Sequence, residues 1–191
     1  MSSLWLFGLM LACGPDLPDP PAPVPEDSLY TLDVALVNQA GEDTSLAVWR
    51  GHPTLVSMIY ASCPMACPIL MNDLKTLEAE LSPETRAQTR VLLITLDPAQ
   101  DGPKELAEVA KGYNVDTTRW QLVRGSEMDT KTMAQHLDVE FALRADGEMD
   151  HTSLIALLNP EGQVIDSLLG LQQDNQHFIA RLDGLAKQRK P

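Results

Sequence analysis

Two cysteines four positions apart are the residues of this sequence that could do the most specific chemistry. Cys63 and Cys67 lie in the segment YASCPMACP, residues 60–68, between an apolar run that predicts a buried strand and a stretch with leucines at helical spacing. If the first helical turn includes both cysteines, their Cα atoms lie about 6 Å apart on one face. That separation permits a disulfide, and it also lets both sulfur atoms face one ion. The pair therefore predicts either a dithiol–disulfide couple or a site for a soft metal.

The predicted strand-to-helix turn also favours the reactive form of the thiols. The positive end of a helix macrodipole would lie beside Cys63 and Cys67, and it stabilises thiolate relative to thiol. Since the thiolate is both the nucleophile and the metal ligand, this placement suits either kind of chemistry.

The acidic composition argues against one large class of partners. The 191 residues carry a formal net charge of −13, and the sequence pI is near 4.5. Nucleic-acid binding needs a basic face for the phosphates, and the sequence contains no cluster of Lys and Arg, so we expect no nucleic-acid partner. We interpret the acidity mainly as a source of solubility, although it also suits a cationic partner or cargo.

The N-terminal 28 residues predict a secretion and anchoring segment. Residues 4–12 form an apolar run too short for a transmembrane helix, and MLAC at residues 10–13 resembles a bacterial lipobox. We therefore interpret residues 1–12 as a lipoprotein-type signal peptide and Cys13 as the lipidated residue. Residues 13–28 hold six of the 14 prolines and predict an extended tether of about 45 Å. The alternative, a buried apolar terminus with a stray cysteine, does not explain the prolines.

This series of segments predicts a protein of the bacterial cell envelope, anchored to a membrane by an N-terminal lipid and facing the periplasm. Such a compartment is oxidising and allows disulfides to persist. With Cys13 lipidated, Cys63 and Cys67 are the only possible intramolecular disulfide pair.

Residues 29–191 predict one α/β domain. Strands are predicted at residues 30–36, 54–60, 90–96 and 120–123. Helices are predicted over residues 64–81, 103–111, 126–137 and 174–190. Residues 152–158 and 163–168 flank the turn NPEG and predict a C-terminal β-hairpin. The order of elements indicates a central mixed sheet flanked by helices.

Three motifs follow one another along the sequence: Cys-x-x-x-Cys-Pro at residues 63–68, DPAQDGP at residues 97–103 with its aspartates Asp97 and Asp101, and DHTS at residues 150–153 before the hairpin. In this order and spacing they resemble the motifs of the SCO/SenC family. The resemblance extends over about residues 32–185 and implies a thioredoxin-like fold with insertions.

The resemblance also implies a ligand set and a role. Copper would be bound by Cys63, Cys67 and the distant His151. The family's best-known role is delivering copper to the dinuclear copper site of cytochrome c oxidase, and thiol–disulfide exchange is its other attributed activity. The expected partners are therefore the copper-site subunit of the oxidase or another periplasmic copper protein, together with the membrane.

The chemistry of this ligand set agrees with copper. Cu(I) prefers thiolate, and imidazole suits both Cu(I) and Cu(II). A structural zinc site normally has four protein ligands, and the sequence offers no further Cys/His pair. We interpret the remaining histidines, His52, His136 and His177, as structural.

Three neighbouring residues each have two interpretations. Asp150 could orient the imidazole or be a solvated turn residue. Met65 could offer a thioether to Cu(I), although a flexible apolar contact for a partner is favoured. Asp97 could tune the site or guide docking, or simply form a turn at the end of its strand.

Three functions follow from these residues. The first is a copper metallochaperone or assembly factor that delivers copper to, or prepares, the oxidase copper site. The second is a thiol–disulfide oxidoreductase acting on the copper-ligand cysteines of the oxidase, with Cys63 attacking and Cys67 resolving. The third is a redox or copper sensor that transfers no metal.

Overall fold

A seven-stranded mixed sheet forms the centre of the protein, whose computed structural model describes residues 23–145 and 148–188. The predicted signal peptide, the lipidation site Cys13 and the first part of the predicted tether lie outside the described residues. Within the described ranges, no helix combines the length and apolar character needed to cross a membrane.

The elements follow one another in a mixed β and α order. The strands are β1 (Leu36–Asn38), β2 (Asp43–Thr44), β3 (Thr54–Ile59), β4 (Arg90–Thr95), β5 (Trp120–Arg124), β6 (Phe141–Leu143), β7 (Met149–His151), β8 (Leu154–Leu158) and β9 (Val164–Leu169). The helices are α1 (Ala66–Glu80), α2 (Pro83–Gln88), α3 (Pro103–Gly112), α4 (Glu127–His136) and α5 (Gln176–Gln188). Short 3-10 turns cover Leu29–Thr31 and Leu46–Trp49.

The main sheet has the strand order β2-β1-β5-β4-β3-β8-β9. Strands β3, β4 and β5 are parallel, and antiparallel strands continue the sheet on both sides. Strands β6 and β7 pair with each other in a separate two-stranded sheet. The mixed α/β sheet and the C-terminal β-hairpin predicted from the sequence are confirmed.

Helices cover both faces of the sheet, which is why all six side chains of β3 are buried. Alternate residues of β3 enter two clusters, because successive side chains of a strand point to opposite faces. Leu55 packs with residues of α1, α3 and α5, whereas Val56 packs with α4 and the N-terminal segment.

The predicted strand over residues 30–36 is wrong. Residues Leu29–Thr31 form a 3-10 turn, and the first strand begins only at Leu36. The backbone amides of Leu32 and Val34 bond locally, to the carbonyls of Leu29 and Leu32. Apolar residues alternate here because they contact the core. Among the described residues the segment has no neighbouring strand to pair with, so it does not join a β-ladder.

The described chain enters the domain beside the turn between β8 and β9. The Leu29 amide donates to the Gly162 carbonyl at 2.9 Å, and the Ser28 hydroxyl donates to the Glu161 carbonyl at 2.6 Å. Gly162 has φ +89°, and a Cβ there would collide with Ser28 Oγ and the Tyr30 ring. A glycine is therefore required at this turn.

Candidate metal centre

The cysteine pair lies where β3 ends and α1 begins. The Cys63 amide donates to the Tyr60 carbonyl at 3.2 Å, which closes the turn after β3. Cys67 lies in the first turn of α1, and its amide donates to Cys63 Sγ at 3.2 Å. An N-terminal helix amide thus points at the Cys63 sulfur, which favours negative charge on that atom.

The two thiols differ in environment. Burial alone would raise the pKa of the Cys63 thiol, but hydrogen bonds from Cys67, Tyr60 and the Met65 amide together lower it. Burial raises the pKa of the Cys67 thiol well above its usual range. Cys63 is half-buried and Cys67 buried, so Cys63 is the more reactive of the two sulfurs.

The pairing of β3 with β8 brings His151 back to the cysteines. The antiparallel register pairs Thr54 with Leu158 and Val56 with Ala156. Continued beyond the ladder, this register places His151 opposite Ala61, two residues before Cys63. His151 ends β7, where it pairs with Phe141 of β6.

The structure brings the three predicted ligands together. The ligand atoms offered by Cys63, Cys67 and His151 all lie within 4.8 Å of one another. His151 Nδ1 lies 3.1 Å from the Thr152 carbonyl oxygen, a contact that places the ring proton on Nδ1. His151 Nε2 is buried and has no hydrogen-bond partner among the described residues. An unpartnered buried nitrogen beside two sulfurs fits a soft metal ion.

Both cysteines are free thiols in this structure. The predicted disulfide between Cys63 and Cys67 would require the sulfur atoms to approach to about 2.05 Å, and it remains a prediction.

Asp101 holds the cysteine turn in place. Its carboxylate Oδ2 accepts from the Ala61 amide at 2.9 Å and from the Thr95 hydroxyl at 2.5 Å. Asp101 is only 3% exposed, and burial raises the pKa of its carboxyl group. The bond network ties the turn after β3 to the end of β4. In the sequence analysis Asp101 is part of a family motif, but no role was predicted for it.

Tyr60 lies between the cysteine turn and His151. Its hydroxyl lies 3.2 Å from Glu148 Oε2, and its ring meets the His151 ring edge-on with 5.9 Å between the centroids. Burial raises the pKa of the Tyr60 phenol, so the hydroxyl keeps its proton. Sequence reasoning gave neither residue a role: Tyr60 counted only as the end of the predicted strand, and Glu148 belongs to no motif or periodic pattern.

The orienting role considered for Asp150 is not what the structure shows. The Thr152 carbonyl contacts the imidazole Nδ1, and the exposed Asp150 carboxylate instead lies 3.6 Å from Arg144. The alternative interpretation, a solvated residue, therefore describes Asp150 better.

Met65 is 75% exposed on the cleft that also contains Cys63, Glu148 and His151, so it is accessible to a docking partner, and both of its interpretations stay predictions. Asp97 follows the simpler of its two interpretations. Asp97 Oδ1 accepts from the Gln100 amide in the turn after β4.

Comparisons with known proteins agree with this architecture. A family model described as SCO1/SenC matches residues 25–187. The SCO1 protein homolog of Bacillus subtilis is 25% identical over 138 residues, which cover 71% of this chain and 71% of that protein. A protein of Stutzerimonas stutzeri named for copper binding is 26% identical over 133 residues, covering 68% of this chain and 64% of that protein. The crystal structure of yeast Sco1 with copper bound has a TM-score of 0.67 at 22% identity and covers 83% of this chain and 88% of that chain.

The fold and the site define a thioredoxin-like protein with a two-cysteine, one-histidine cluster at the end of a central strand. The chain belongs to the SCO1/SenC family, since the family model covers most of its length. Members of this family bind copper and take part in the assembly of cytochrome c oxidase. The resemblance and the thioredoxin-like fold predicted from the sequence are thereby confirmed.

Proposed function

We propose that this protein binds one copper ion through Cys63, Cys67 and His151 and delivers it to, or prepares, the dinuclear copper site of cytochrome c oxidase. The observation that carries the proposal is the buried, unpartnered His151 Nε2 beside the two sulfur atoms. Copper is the metal of choice because two thiolates suit Cu(I) and the imidazole accommodates Cu(II) as well.

The geometry also supports release of the metal. Three protein ligands leave a coordination position open, and the cleft over Cys63 and His151 admits another protein's ligands. A closed four-ligand site would hold the ion permanently, whereas an open one permits stepwise ligand exchange.

Copper binding is tested on the full chain, purified under reducing conditions. We expect one copper ion per chain, and we expect His151→Ala to weaken Cu(II) binding by more than about tenfold, since loss of even an outer partner of a metal ligand costs 10- to 100-fold. His136→Ala, at the end of α4, is the matched control and should bind as the wild type does. Unchanged Cu(II) affinity in a folded His151→Ala protein would overturn the proposed ligand set.

Delivery is tested separately from binding. Copper-loaded protein is mixed with the isolated copper-site domain of an oxidase subunit, and the metal on each protein is measured after separation. Transfer supports a donor, whereas copper that stays on this chain in the presence of the reduced acceptor favours the sensor alternative.

A second candidate function, thiol–disulfide exchange with the oxidase copper-ligand cysteines, is favoured by the difference between the two thiols. The Cys63 thiolate would attack a partner disulfide, forming a mixed disulfide and releasing one partner thiolate. Cys67, once deprotonated, would then attack Cys63 Sγ, forming the intramolecular disulfide and releasing the second thiolate. Two electrons thus pass from this protein to the partner.

The exchange reaction has its own test. Cys67→Ser should trap a mixed disulfide through Cys63 with the oxidised copper-site domain, seen on a non-reducing gel. Cys63→Ser is the control and should trap far less, because Cys67 is buried and its pKa is raised. Equal trapping by both variants contradicts the assigned order of attack.

For location, we propose that Cys13 carries a lipid and that the domain faces the periplasm of a bacterial cell envelope. The support is the lipobox-like MLAC sequence and the proline-rich stretch after it. Cys13→Ala should move the protein from the membrane fraction to the soluble fraction, and retention on the membrane would contradict the anchor.

A further inference from the structure

The β6–β7 hairpin carries His151 but belongs to its own two-stranded sheet. Several hydrogen bonds join residues of this segment to each other. They hold the hairpin together but do not fix its position over the cysteines. Examples are Thr152 amide to Glu140 carbonyl at 2.8 Å and Arg144 amide to Glu148 carbonyl at 2.7 Å. The position of the imidazole therefore depends on contacts of the hairpin with the rest of the domain. Phe141 and Met149 pack against the core, and further contacts reach the cysteine turn.

Tyr60 provides such a contact at two points. It follows β3 directly and lies three residues before Cys63, so its backbone belongs to the cysteine turn. Its hydroxyl reaches Glu148, three residues before His151, while its ring lies edge-on to the imidazole. Tyr60 is only 6% exposed, so the tyrosine that makes this hydrogen bond is largely removed from solvent.

We propose that the hydrogen bond between Tyr60 and Glu148, here called the Tyr60–Glu148 latch, positions His151 for metal binding. This inference rests on the proposed function in taking copper as the metal and His151 as one of its ligands. Tyr60 is a positioning residue: it acts through His151 and is not itself a ligand. The hydroxyl fixes the height of the hairpin over the sulfurs, and the ring limits rotation of the imidazole.

Ring and hydroxyl can be separated by substitution. Tyr60→Phe keeps the edge-on ring contact and removes the hydrogen bonds of the hydroxyl, to Glu148 and to Cys63. An effect through Cys63 would persist in the His151→Ala background, whereas an effect through His151 would not. Glu148→Gln keeps a partner for the hydroxyl and removes the negative charge, whereas Glu148→Ala removes both. The set therefore distinguishes a latch from simple attraction between the Glu148 carboxylate and a bound cation, because attraction is lost in Glu148→Gln as well.

The copper measurement uses the full chain and Cu(II) alone, without oxygen, against a competing chelator. We expect Tyr60→Phe and Glu148→Ala each to weaken Cu(II) binding by about tenfold, the scale of one hydrogen bond to a charged group, and to be non-additive in the double variant. Glu148→Gln should stay close to the wild type. In a His151→Ala background, Tyr60→Phe should have no further effect. The electron paramagnetic resonance spectrum of bound Cu(II) should show weakened nitrogen coupling in Tyr60→Phe.

Hydrogen exchange of the metal-free protein tests the latch without copper. Amides of residues 149–151 should exchange faster in Tyr60→Phe than in the wild type, with an unchanged midpoint of global unfolding. Tyr30→Phe is the matched control, because Tyr30 is a buried tyrosine bonded to Thr54 at 3.3 Å and packed beside the chain entry, away from the cysteine turn.

The outcomes separate the two proposals. Wild-type Cu(II) affinity and wild-type exchange in Tyr60→Phe would overturn the latch, even if His151→Ala still loses copper. A wild-type protein that binds no copper would overturn the proposed function, and faster exchange in Tyr60→Phe would still support the latch. An effect of Tyr60→Phe that persists undiminished in the His151→Ala background would show that Tyr60 does not act through His151.

Discussion

The two segments that form the candidate metal centre are held in different ways. The cysteine turn, residues 60–67, continues a central strand into a 15-residue helix and is tied by its backbone to the buried Asp101. The β6–β7 hairpin stands apart from the main sheet, and Leu143 at its tip is 70% exposed. The two cysteines thus lie on a turn continuous with the main sheet and a long helix, whereas His151 lies on a segment outside the main sheet.

This difference bears on the proposed transfer of copper. In the proposed site, two thiolates on a fixed turn would hold the ion, and a nitrogen on a segment outside the main sheet would be the first ligand to leave and open a coordination position. Local stability varies in this way across many proteins, and segments that move during function come from the less stable end. The following predictions test whether the cysteine turn contributes more to stability than the β6–β7 hairpin does.

The largest effect is expected at Asp101. Asp101→Ala removes the acceptor for the Ala61 amide and the Thr95 hydroxyl and leaves both without that partner, so we expect a loss of about 2–4 kcal/mol in the free energy of unfolding. Guanidinium unfolding measures it. A loss below about 1 kcal/mol would mean that the turn is not held by Asp101.

Asp101→Asn is the matched control. Both hydrogen bonds end on Oδ2, and an amide oxygen can accept both, so Asn should largely preserve stability at pH 7. Because burial raises the pKa of Asp101 in the folded state, protonation favours folding. The wild type should therefore gain stability relative to Asp101→Asn as the pH falls from above the folded pKa towards the unfolded value, and it should lose that gain as the pH rises again.

An intermediate effect is expected in thiol alkylation. In the reduced, metal-free protein, Cys63 should react with iodoacetamide at least about tenfold faster than Cys67, because Cys63 is more exposed and its pKa is lowered. Peptide mass spectrometry under single-hit conditions measures both rates. Equal rates would contradict the assignment of Cys63 as the accessible sulfur.

The smallest effect is expected at Asp150, in its exposed ion pair with Arg144. The Arg144–Asp150 pair is 3.6 Å apart with both side chains more than half exposed, and such surface pairs contribute about 0–1 kcal/mol. Asp150→Asn should therefore change the unfolding free energy by less than about 0.5 kcal/mol and leave Cu(II) affinity within about twofold. A tenfold change in affinity would give Asp150 the orienting role that the geometry assigns to Thr152.

The sequence predicted the elements whose signals are local. Two continuous apolar runs predicted β3 and β4 because a sheet covered on both faces needs no polar alternation. Ser126 predicted the start of α4, and the structure shows it accepting from the Asp129 amide while Asp129 caps the Ser126 amide. The turn NPEG likewise predicted the C-terminal hairpin.

The rest depends on contacts between distant segments. The β6–β7 hairpin was missed because its strands have three residues each and pair only with each other. The approach of His151 to the cysteines follows from the pairing of β3 with β8, which no local pattern specifies; only the family resemblance indicated it. The contact of Tyr60 with Glu148 depends on the same pairing, so no local sequence pattern predicts it.

The point where the described chain enters the domain determines which end of the domain the proposed tether would hold. Entry occurs at the turn after β8, and β8 runs from the metal centre towards that turn, so the two lie at opposite poles. A lipid on Cys13 would therefore hold the domain by the end opposite the cysteines and leave the cysteine end open to partners. With a predicted tether of about 45 Å, the protein would sweep a shell above the membrane and approach partners from the aqueous side.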